Sequence, residues 1–256
     1  MISVIIPTFQ HAGTIGACLD SILRQTMLPD EIIVVNDGST DGTEKILQQF
    51  LQAQNSATSP DRRKSNAEEL VAGSWKFIVM NQENRGAQAA RNRGWKEARG
   101  DLLIFCDADV RMRPNMLEKM AAALAAHPEA SYAYGAFRFG WKKFGGVPFN
   151  AEKLRQHNFI HTSSLIRAAD FPGFDESIKR LQDWDVWLTM LSAGKTGILV
   201  PDVLCDVAID GKSRIGSSWL PRFLYHIPWD RLGWMPRAIK RYHEAREVIV
   251  KKHQLV

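Results

Sequence analysis

Acidic side chains follow several short apolar segments of this chain, in a pattern that suits binding of a cation and a nucleotide. Asp107 and Asp109 stand at positions i and i+2 directly after the apolar run 102–106. Carboxylates that leave a buried strand in this way can turn into one cavity, where their hard oxygen atoms suit Mg²⁺ or Mn²⁺. Such a cation neutralises the charge that grows on a departing nucleoside diphosphate. A simpler alternative is a turn capped by Asp107 with a solvated Asp109, and Asp183 and Asp185 repeat the same spacing.

Another acidic residue, Asp37, lies within the turn-forming segment 36–42, Asn-Asp-Gly-Ser-Thr-Asp-Gly. A strand-to-helix turn with a helix N-cap at Ser39 or Thr40 explains most of this segment. It does not explain why a charge comes directly after an apolar strand. A carboxylate there can accept a hydrogen bond from the ring N–H of uracil or guanine, with Thr8 lining the same pocket.

The spacing of apolar residues predicts the elements that must position these carboxylates. We expect strands at 3–6, 31–35, 76–80, 101–106, 132–141, 161–166 and 196–200, and helices at 14–25, 40–51, 86–98, 115–126, 183–191 and 236–252. Strands without alternation, separated by helices, indicate an α/β fold with a mostly parallel central sheet flanked by helices. The polar segment 52–74 is predicted to be an exposed loop. Ligands of such sheets bind beyond the carboxyl ends of the strands, where the polar residues described above would lie.

Several motifs occur along the chain in an order that is typical of one enzyme family. They are Pro-Thr-Phe at 7–9, Val-Asn-Asp-Gly-Ser-Thr-Asp at 35–41, Asn-Arg-Gly at 84–86, Ala-Arg-Asn at 90–92, the apolar run and DxD motif at 101–109, Phe-Pro-Gly-Phe-Asp-Glu at 171–176 and Gln-Asp-Trp-Asp-Val-Trp at 182–187. Over roughly residues 2–215 the chain resembles the family 2 glycosyltransferases, which have the GT-A fold of the nucleotide-diphospho-sugar transferase superfamily.

This resemblance implies an inverting transfer of a sugar from a nucleoside diphosphate sugar, usually a UDP-sugar, to an acceptor hydroxyl. It also implies a divalent cation, Mn²⁺ or Mg²⁺, as cofactor. By the same similarity Thr8 and Asp37 would hold the base of the nucleotide. Asp107 would contact the ribose region, and Asp109 would hold the metal.

The family places an acidic catalytic base at the start of a helix in the second half of the chain, and Asp183 falls at the matching position. Gln182 replaces the glutamate that usually precedes this base. A carboxylate within reach of an acceptor hydroxyl can remove its proton as the oxygen attacks. Asp183 and Asp185 would also stabilise a helix N-terminus without any catalytic role, and we accept that explanation for Asp185 alone. His161 is expected to be a structural histidine.

Basic residues are the candidates for contacts with the diphosphate. Arg85 precedes a predicted helix, whose free N–H groups would help to bind a phosphate. A surface or sheet-edge salt bridge explains Arg91 at least as well. The family often has a histidine on a flexible loop where this chain has Asp210, so Lys212 and Arg214 are the remaining phosphate candidates on that loop.

The composition fits a globular protein with one large α/β unit or two small ones. The chain has 256 residues, of which 45% are hydrophobic and 24% are charged. Three widely spaced cysteines, Cys18, Cys106 and Cys205, form no CxxC pair, which argues against disulfides or a zinc ribbon and for a reducing compartment. No apolar run reaches the ~18 residues of a membrane-spanning helix, and no basic leader precedes the first apolar run. We therefore expect a cytoplasmic location.

The net charge of +5 is concentrated at the end of the chain, because residues 212–256 carry +7 and the remainder carries −2. The stretch 219–256 also contains Trp219, Phe223, Tyr225, Trp229 and Trp234. This mixture suits a peripheral contact with the inner membrane surface. It equally suits an extension packed on the catalytic domain with a solvated basic face, which we slightly favour. No nucleic-acid partner is expected, because no nucleic-acid module accompanies the charge.

The motifs divide the chain into a GT-A domain at 1–215 and a basic, aromatic, helical extension at 216–256. Within the domain we expect a nucleotide-binding half at 1–110 and an acceptor half at 111–215. The sequence does not specify the oligomeric state or the acceptor, which is a glycan, a lipid-linked molecule or a protein.

Two alternative functions are a catalytically silent nucleotide-sugar binding protein, suggested only by Gln182, and a sugar-phosphate nucleotidyltransferase. The second normally opens with a glycine-rich loop that does not follow the first strand here.

Overall fold

One ten-stranded sheet with helices on both faces forms the framework of the protein in a computed structural model, which describes residues 1–55, 67–72, 75–208, 227, 229 and 235–255. The strands are β1 (Ile2–Thr8), β2 (Glu31–Asp37), β3 (Ala67–Ala72), β4 (Trp75–Gln82), β5 (Leu102–Phe105), β6 (Val110–Met112), β7 (Tyr132–Phe139), β8 (Lys142–Phe144), β9 (Leu165–Arg167) and β10 (Gly197–Val207). The helices are α1 (Ile15–Leu23), α2 (Thr43–Asn55), α3 (Ala87–Glu97), α4 (Met116–Ala126), α5 (Ala151–Gln156), α6 (Gln182–Ser192) and α7 (Arg237–Lys252), and a short 3₁₀ helix covers Ala168–Asp170.

The strand order is β3-β4-β2-β1-β5-β9-β7-β10-β6, and β8 pairs with β7 outside this path. The neighbours β4, β2, β1 and β5 are parallel, as are β7 and β10. The strands β3, β9, β6 and β8 join by antiparallel pairing. The α/β fold with a central sheet flanked by helices is therefore the one expected from the sequence.

The sheet separates two apolar cores, as the alternation of side chains along β1 shows. Val4 and Ile6 point into the core under α1, α2 and α4, whereas Ile5 points into the core that contains Trp184 and Trp187 of α6. All five side chains are at most 1% exposed. A strand buried on both faces has apolar residues at consecutive positions, which is why β1, β2 and β5 show no alternation.

Helix α3 lies unusually close to the sheet because of Gly94. A Cβ atom at this position would lie 2.6 Å from Cγ2 of Ile5 and 3.2 Å from Cγ2 of Val35. Gly86 caps the same helix at its N-terminus with φ of +95°, a left-handed value that other residues adopt only with strain. The two glycines therefore fix the depth and the starting point of α3, which carries Arg91.

The predicted loop at 52–74 is wrong in part. Helix α2 extends to Asn55, and residues 67–72 form β3, which pairs antiparallel with β4 at the edge of the sheet. An edge strand tolerates polar residues, and the sequence Ala-Glu-Glu-Leu-Val-Ala therefore gives little strand signal. Residues 56–66, 73 and 74 lie outside the described part of the chain.

Two strands of the second half also differ from their predictions. The strand expected at 161–166 is the shorter β9, because the Ser163 N–H donates to Nδ1 of His161 (3.2 Å) and Ser164 Oγ donates to the His161 carbonyl (2.7 Å). Such local bonds compete with sheet pairing. The strand expected to end at 200 continues as β10 through Pro201. Its register with β7 shifts between Leu199 and Val203, and a bulge of this kind accommodates a residue without an N–H.

The predicted C-terminal helix is confirmed as α7, and it packs on the domain through Ile249. Ile249 is fully buried in the same core as Trp184, and Leu255 packs against that core. Of the aromatic residues noted in the tail, Trp219, Phe223, Tyr225 and Trp234 lie outside the described residues. Among the helices that are described, none combines the length and the apolar character needed to cross a membrane.

Candidate active site

The polar residues after the parallel strands lie along one edge of the sheet, as expected. Thr8 ends β1 and pairs with Asn36 of β2, which places it beside Asp37. Asp37 ends β2 and pairs with Gln82 at the end of β4. Asp107 follows β5, the next parallel strand on the other side of β1. Thr8 and Asp37 are both buried, at 2% exposure.

The Asp37 carboxylate holds the loop that leads into α3. Its Oδ1 atom accepts hydrogen bonds from the Arg85 N–H (2.8 Å) and from Nε2 of Gln82 (2.6 Å), and its Oδ2 atom accepts one from the Gly86 N–H (2.8 Å). A carboxylate offers about four lone-pair positions, so roughly one remains for a ligand. The Gly86 N–H, at the predicted helix start where free N–H groups were expected for phosphate, is thus bound to Asp37, as is the Arg85 N–H.

Asp107 and Arg91 form a buried ion pair, with Nη2 of Arg91 2.5 Å from Oδ1 of Asp107. Arg91 is 3% exposed, and its guanidinium lies 5.2 Å above the ring of Phe174. Within the described part of the chain its Nε and Nη1 atoms have no hydrogen-bond partner. Burial by itself would raise the pKa of Asp107, but the positive charge and hydrogen bond of Arg91 outweigh burial and lower it. Arg91 thus forms a salt bridge, as considered, but its side chain is buried beside the DxD motif and the contact is not a surface one.

Asp183 lies in the first turn of α6 in a different electrostatic setting. Its Oδ2 atom accepts a hydrogen bond from Nδ2 of Asn158 (2.7 Å), and its Oδ1 atom accepts one from its neighbour's backbone, the Trp184 N–H (2.9 Å). Both donors are neutral. Burial raises the pKa of Asp183 above the ordinary aspartate value, and the Trp184 N–H and the charge of Arg91 offset this only in part. A carboxylate of raised pKa is a better proton acceptor than an ordinary one.

Asp107, Asp183 and Arg91 are electrostatic neighbours, although they come from different parts of the chain. The negative charge of Asp107 raises the pKa of Asp183, and the positive charge of Arg91 lowers the pKa of both aspartates. Asp37 joins this group through α3, since it binds the N–H groups at the start of the helix that carries Arg91. Of the acidic residues that the sequence singled out, Asp107 and Asp183 are therefore brought together beside Arg91, and Asp37 is linked to them through the start of α3.

His161 belongs to this group as well as to the fold. Its ring packs on Phe137 with centroids 4.4 Å apart, and its Nδ1 atom accepts the Ser163 N–H. Burial lowers the pKa of His161 to about 4, opposed by Asp107 and assisted by Arg91. The imidazole is therefore neutral near pH 7, with Nδ1 as acceptor. These contacts agree with the expected structural histidine, but its position beside Asp107 was not predicted.

Asp109 directly precedes β6, within a turn that starts at Asp107, and is 9% exposed. Its carbonyl accepts the Ala208 N–H (2.8 Å) at the end of β10, which fixes the backbone of the DxD segment. Within the described ranges no group of three or more His, Cys, Asp or Glu side chains could hold a metal ion. A Mg²⁺ or Mn²⁺ site usually needs only one or two carboxylates, because substrate phosphates and water supply the other oxygen ligands.

Of the three basic residues proposed for the diphosphate, only Arg85 lies in the described part of the chain. The Arg85 side chain is 68% exposed, with Nη2 3.7 Å from Oε2 of Glu176. Lys212 and Arg214 lie outside the described residues.

Asn158 is a residue that the sequence did not single out. Its Oδ1 atom accepts a hydrogen bond from the Ile160 N–H (3.1 Å). Two indole N–H groups of α6 hold the segment around Asn158: Trp184 donates to the Leu154 carbonyl (2.6 Å), and Trp187 donates to the Ile160 carbonyl (3.1 Å). No motif contains Asn158, and only the folded chain places it against Asp183. The Asp-Trp-x-x-Trp spacing of α6 was visible, but not what its tryptophans bind.

Comparison with known proteins supports one family. Residues 3–175 match the family described as glycosyl transferase family 2. The putative teichuronic acid biosynthesis glycosyltransferase TuaG of Bacillus subtilis is 24% identical over 86% of this chain and 83% of its own length. A PGL/p-HBAD biosynthesis glycosyltransferase of Mycobacterium bovis is 30% identical over 72% of this chain and 67% of its own length. The match to the putative glycosyltransferase EpsH of Bacillus subtilis, at 32% identity, spans 46% of this chain and only 29% of that protein.

Solved structures show the same fold. S. aureus TarS 1–349 in complex with UDP-GlcNAc has a TM-score of 0.65 at 19% identity, over 88% of this chain and 63% of that one. The mannosyltransferase PcManGT from Pyrobaculum calidifontis, in complex with GDP-Man and Mn²⁺, has a TM-score of 0.64 at 19% identity, over 97% of this chain and 69% of that one. The chain spans 36% of the longer TarS structure. The family and fold indicated by the sequence are thereby confirmed, and the chain belongs to the family 2 glycosyltransferases, a class of enzymes.

Proposed function

We propose that this chain transfers a sugar, with inversion, from a nucleoside diphosphate sugar to an acceptor hydroxyl, with UDP-sugars as the first donors to test. The observation that carries the proposal is the position of Asp183, a carboxylate of raised pKa held by neutral donors beside the Asp107–Arg91 ion pair. In this proposal residues 1–110 bind the donor and residues 111–215 bind the acceptor.

The reaction needs one base and one displacement. The acceptor oxygen forms a bond to the anomeric carbon while the bond from that carbon to the phosphate oxygen breaks, and the nucleoside diphosphate leaves with the electron pair. The acceptor proton passes to Asp183, whose carboxylate Asn158 and the Trp184 N–H hold in one orientation. A single attack from the face opposite the leaving group inverts the carbon.

The donor site is assigned by the same reasoning. Thr8 and Asp37 are the base contacts, Asp107 is the ribose contact, and Arg85, Lys212 and Arg214 are the phosphate contacts. Asp109 would hold Mn²⁺ or Mg²⁺, which when bound neutralises charge on the diphosphate. The similarity to structures that contain UDP-GlcNAc, or GDP-Man and Mn²⁺, makes these nucleotides the natural probes.

Calorimetric titration with UDP and with GDP, each with and without Mn²⁺, tests the donor site. We expect UDP to bind, and Mn²⁺ to tighten the binding by at least about tenfold, an effect that Asp109→Asn should abolish. Asp20→Asn is the matched control, because Asp20 is an exposed aspartate on α1. If neither nucleotide binds under any condition, the proposed function is wrong. If Mn²⁺ changes nothing, the metal assignment alone is wrong.

The acceptor side of the proposal includes a membrane contact through residues 219–256, at the cytoplasmic face. In the described part of this stretch, α7 exposes Arg237, Lys240, Arg241 and Lys251. The first three recur at helical spacing on one face, and each cation near an anionic bilayer contributes about 1 kcal/mol of binding free energy. Co-sedimentation with phosphatidylglycerol vesicles should exceed that with phosphatidylcholine vesicles and should fall in 0.5 M salt. Equal binding to both vesicle types would contradict this contact.

A further inference from the structure

The C-terminal end of α7 contacts α6 directly behind the candidate base. Two residues apart on a helix are about 200° apart around its axis, so Asp183 and Asp185 leave opposite sides of the first turn of α6. The Asp183 carboxylate accepts a hydrogen bond from Asn158 and interacts electrostatically with Asp107 and Arg91. The Asp185 carboxylate instead contacts His253 at the end of α7. Asp185 is only 3% exposed, and a buried carboxylate requires partners that compensate for lost hydration.

Both partners of Asp185 come from the end of the tail helix. The Nζ atom of Lys252 lies 2.9 Å from Oδ1 and 3.0 Å from Oδ2 of Asp185, and Nε2 of His253 lies 2.7 Å from Oδ1. The Asp185 carboxylate is therefore engaged on both oxygens. Because these contacts are to the first turn of α6, they hold the backbone from which Asp183 projects.

Lys252 also reaches a second segment of the site, the loop 171–178. Its Nζ atom lies 2.8 Å from Oδ2 of Asp175, and this hydrogen bond, together with those from Ser177, lowers the pKa of Asp175 to about 2. The loop contributes Phe174, whose ring lies beneath the guanidinium of Arg91.

Helix α3 holds the same loop from the other side. Asn92 bonds both backbone groups of Phe174, at 2.9 Å and 2.8 Å, and Nε2 of Gln88 donates to the Ile178 carbonyl. Lys252 thus connects the loop 171–178, which supports Arg91 through Phe174, to α6, which carries Asp183.

We propose that Lys252 and His253 are positioning residues for sugar transfer, which fix the first turn of α6 through Asp185 and the loop 171–178 through Asp175. This role rests on the proposed function of Asp183 as base. The end of α7 would then be part of the active-site framework, and not only a cover on the domain. Neither residue touches the reacting atoms in this role.

Hydrogen–deuterium exchange of the full chain tests the positioning without any substrate. In Lys252→Met we expect the amides of 171–178 and of the first turn of α6 to exchange at least about tenfold faster, while β1, β2 and β5 keep their protection. Lys251→Met is the matched control, since Lys251 is the adjacent exposed lysine and should leave all segments unchanged. Lys252→Arg should restore most of the protection, because arginine can bond both carboxylates.

Kinetics give the second measurement, with UDP release from UDP-GlcNAc or from another UDP-sugar that the wild type turns over. Lys252→Met should lower kcat by about 10- to 100-fold, as expected for a slightly misplaced base, while KM for the donor changes less than about threefold. His253→Gln, which keeps a side-chain N–H, should have a smaller effect on kcat. Unchanged exchange in both segments, or an equal loss of donor affinity, would overturn the positioning role. Failure of the wild type to bind either UDP or GDP would instead overturn the proposed function.

Discussion

The surroundings of Asp107 and of Asp183 show how one site gives two carboxylates opposite properties. Asp107 lies against a buried guanidinium, which lowers its pKa despite burial, and it therefore stays ionised. Asp183 receives only neutral hydrogen bonds, and burial raises its pKa. The difference comes from the partner and not from the residue type, because both residues are aspartates whose pKa the charge of Arg91 lowers. The first environment suits a permanent charge, and the second suits a group that accepts a proton.

The largest expected effect comes from removing the proton acceptor. Asp183→Asn keeps the shape of the side chain and its bond from the Trp184 N–H, but it cannot take up the acceptor proton. We expect sugar transfer to fall by about 10²- to 10⁴-fold, with UDP affinity unchanged within about twofold. Product formation with a donor that the wild type turns over measures the first quantity, and calorimetry measures the second.

Asp202→Asn is a suitable control for this variant. It removes a carboxylate of β10 from a half-exposed contact with Lys119 of α4, outside the site. If Asp183→Asn transfers sugar at the wild-type rate, another group is the base. If the wild type binds UDP but transfers nothing from any donor in a broad screen, the silent binding protein becomes the better description.

The next effect concerns the ion pair on the other side of the comparison. Arg91→Met removes the cation beside Asp107 and leaves a carboxylate that is 25% exposed without its charge partner. Breaking a buried pair on one side costs about 3–5 kcal/mol of unfolding free energy. Because Asp107 is partly exposed, we expect a loss of about 3 kcal/mol at pH 7. Urea unfolding of the two proteins measures this difference.

The pH dependence of this loss follows from the pKa of Asp107. In the wild type the folded-state pKa is lowered, so its contribution to stability is present above the unfolded-state pKa and disappears as pH falls through the folded value. The gap between wild type and Arg91→Met should therefore shrink below about pH 4. A gap that stays constant from pH 7 to pH 3 would mean that Arg91 stabilises the fold by packing on Phe174 and not by charge.

The sequence indicated the carboxylates better than it indicated their environments. Asp107 and Asp183 follow from local motifs, because each stands at the end or the start of an element with a clear apolar pattern. Their partners follow from tertiary contacts at long separation. Asn158 lies 25 residues before Asp183, and Lys252 lies 67 residues after Asp185. A periodicity of 2 or 3.6 residues carries no information about such distant contacts.

The same limit explains which parts of the fold were predictable. The strands β1, β2 and β5 are buried on both faces, so their uninterrupted apolar runs identify them. The edge strand β3 and the short β6 and β8 depend on pairing with a neighbour, and their own sequences are polar or brief. Burial of Arg91 was equally hidden, since α3 sits deep only because Gly94 lets it approach the sheet.

A smaller effect should come from the hydrogen bond that orients the base. Asn158→Ala removes a donor to the ionised form of Asp183, so the pKa of Asp183 should rise further. Transfer requires the ionised carboxylate, and its rate falls as pH drops through that pKa. We expect the acidic limb of the rate profile to move to higher pH by about one unit, and the plateau rate to fall about tenfold.

Asn158→Asp separates orientation from charge in the same position. It keeps the size of the side chain but replaces the amide donor with a second carboxylate beside Asp183, which should move the acidic limb still further to higher pH. If neither substitution moves the limb, the group that titrates in the rate profile is not Asp183.

The smallest expected effect concerns Gln182, which stands where the family usually has glutamate. Gln182 is half-buried at the first position of α6, and Gln182→Glu adds a third acidic residue to a first turn that already contains Asp183 and Asp185. The helix dipole favours this charge by a few tenths of a kcal/mol, whereas repulsion raises the pKa of Asp183 slightly. The acidic limb should therefore move up by less than about half a unit, with the plateau rate changed less than about threefold. Gln182→Ala, which adds no charge, should leave the limb in place. A rate increase of 100-fold or more in Gln182→Glu alone would show that the glutamate acts directly on the substrate. Proton transfer would then depend on the carboxylates at both 182 and 183.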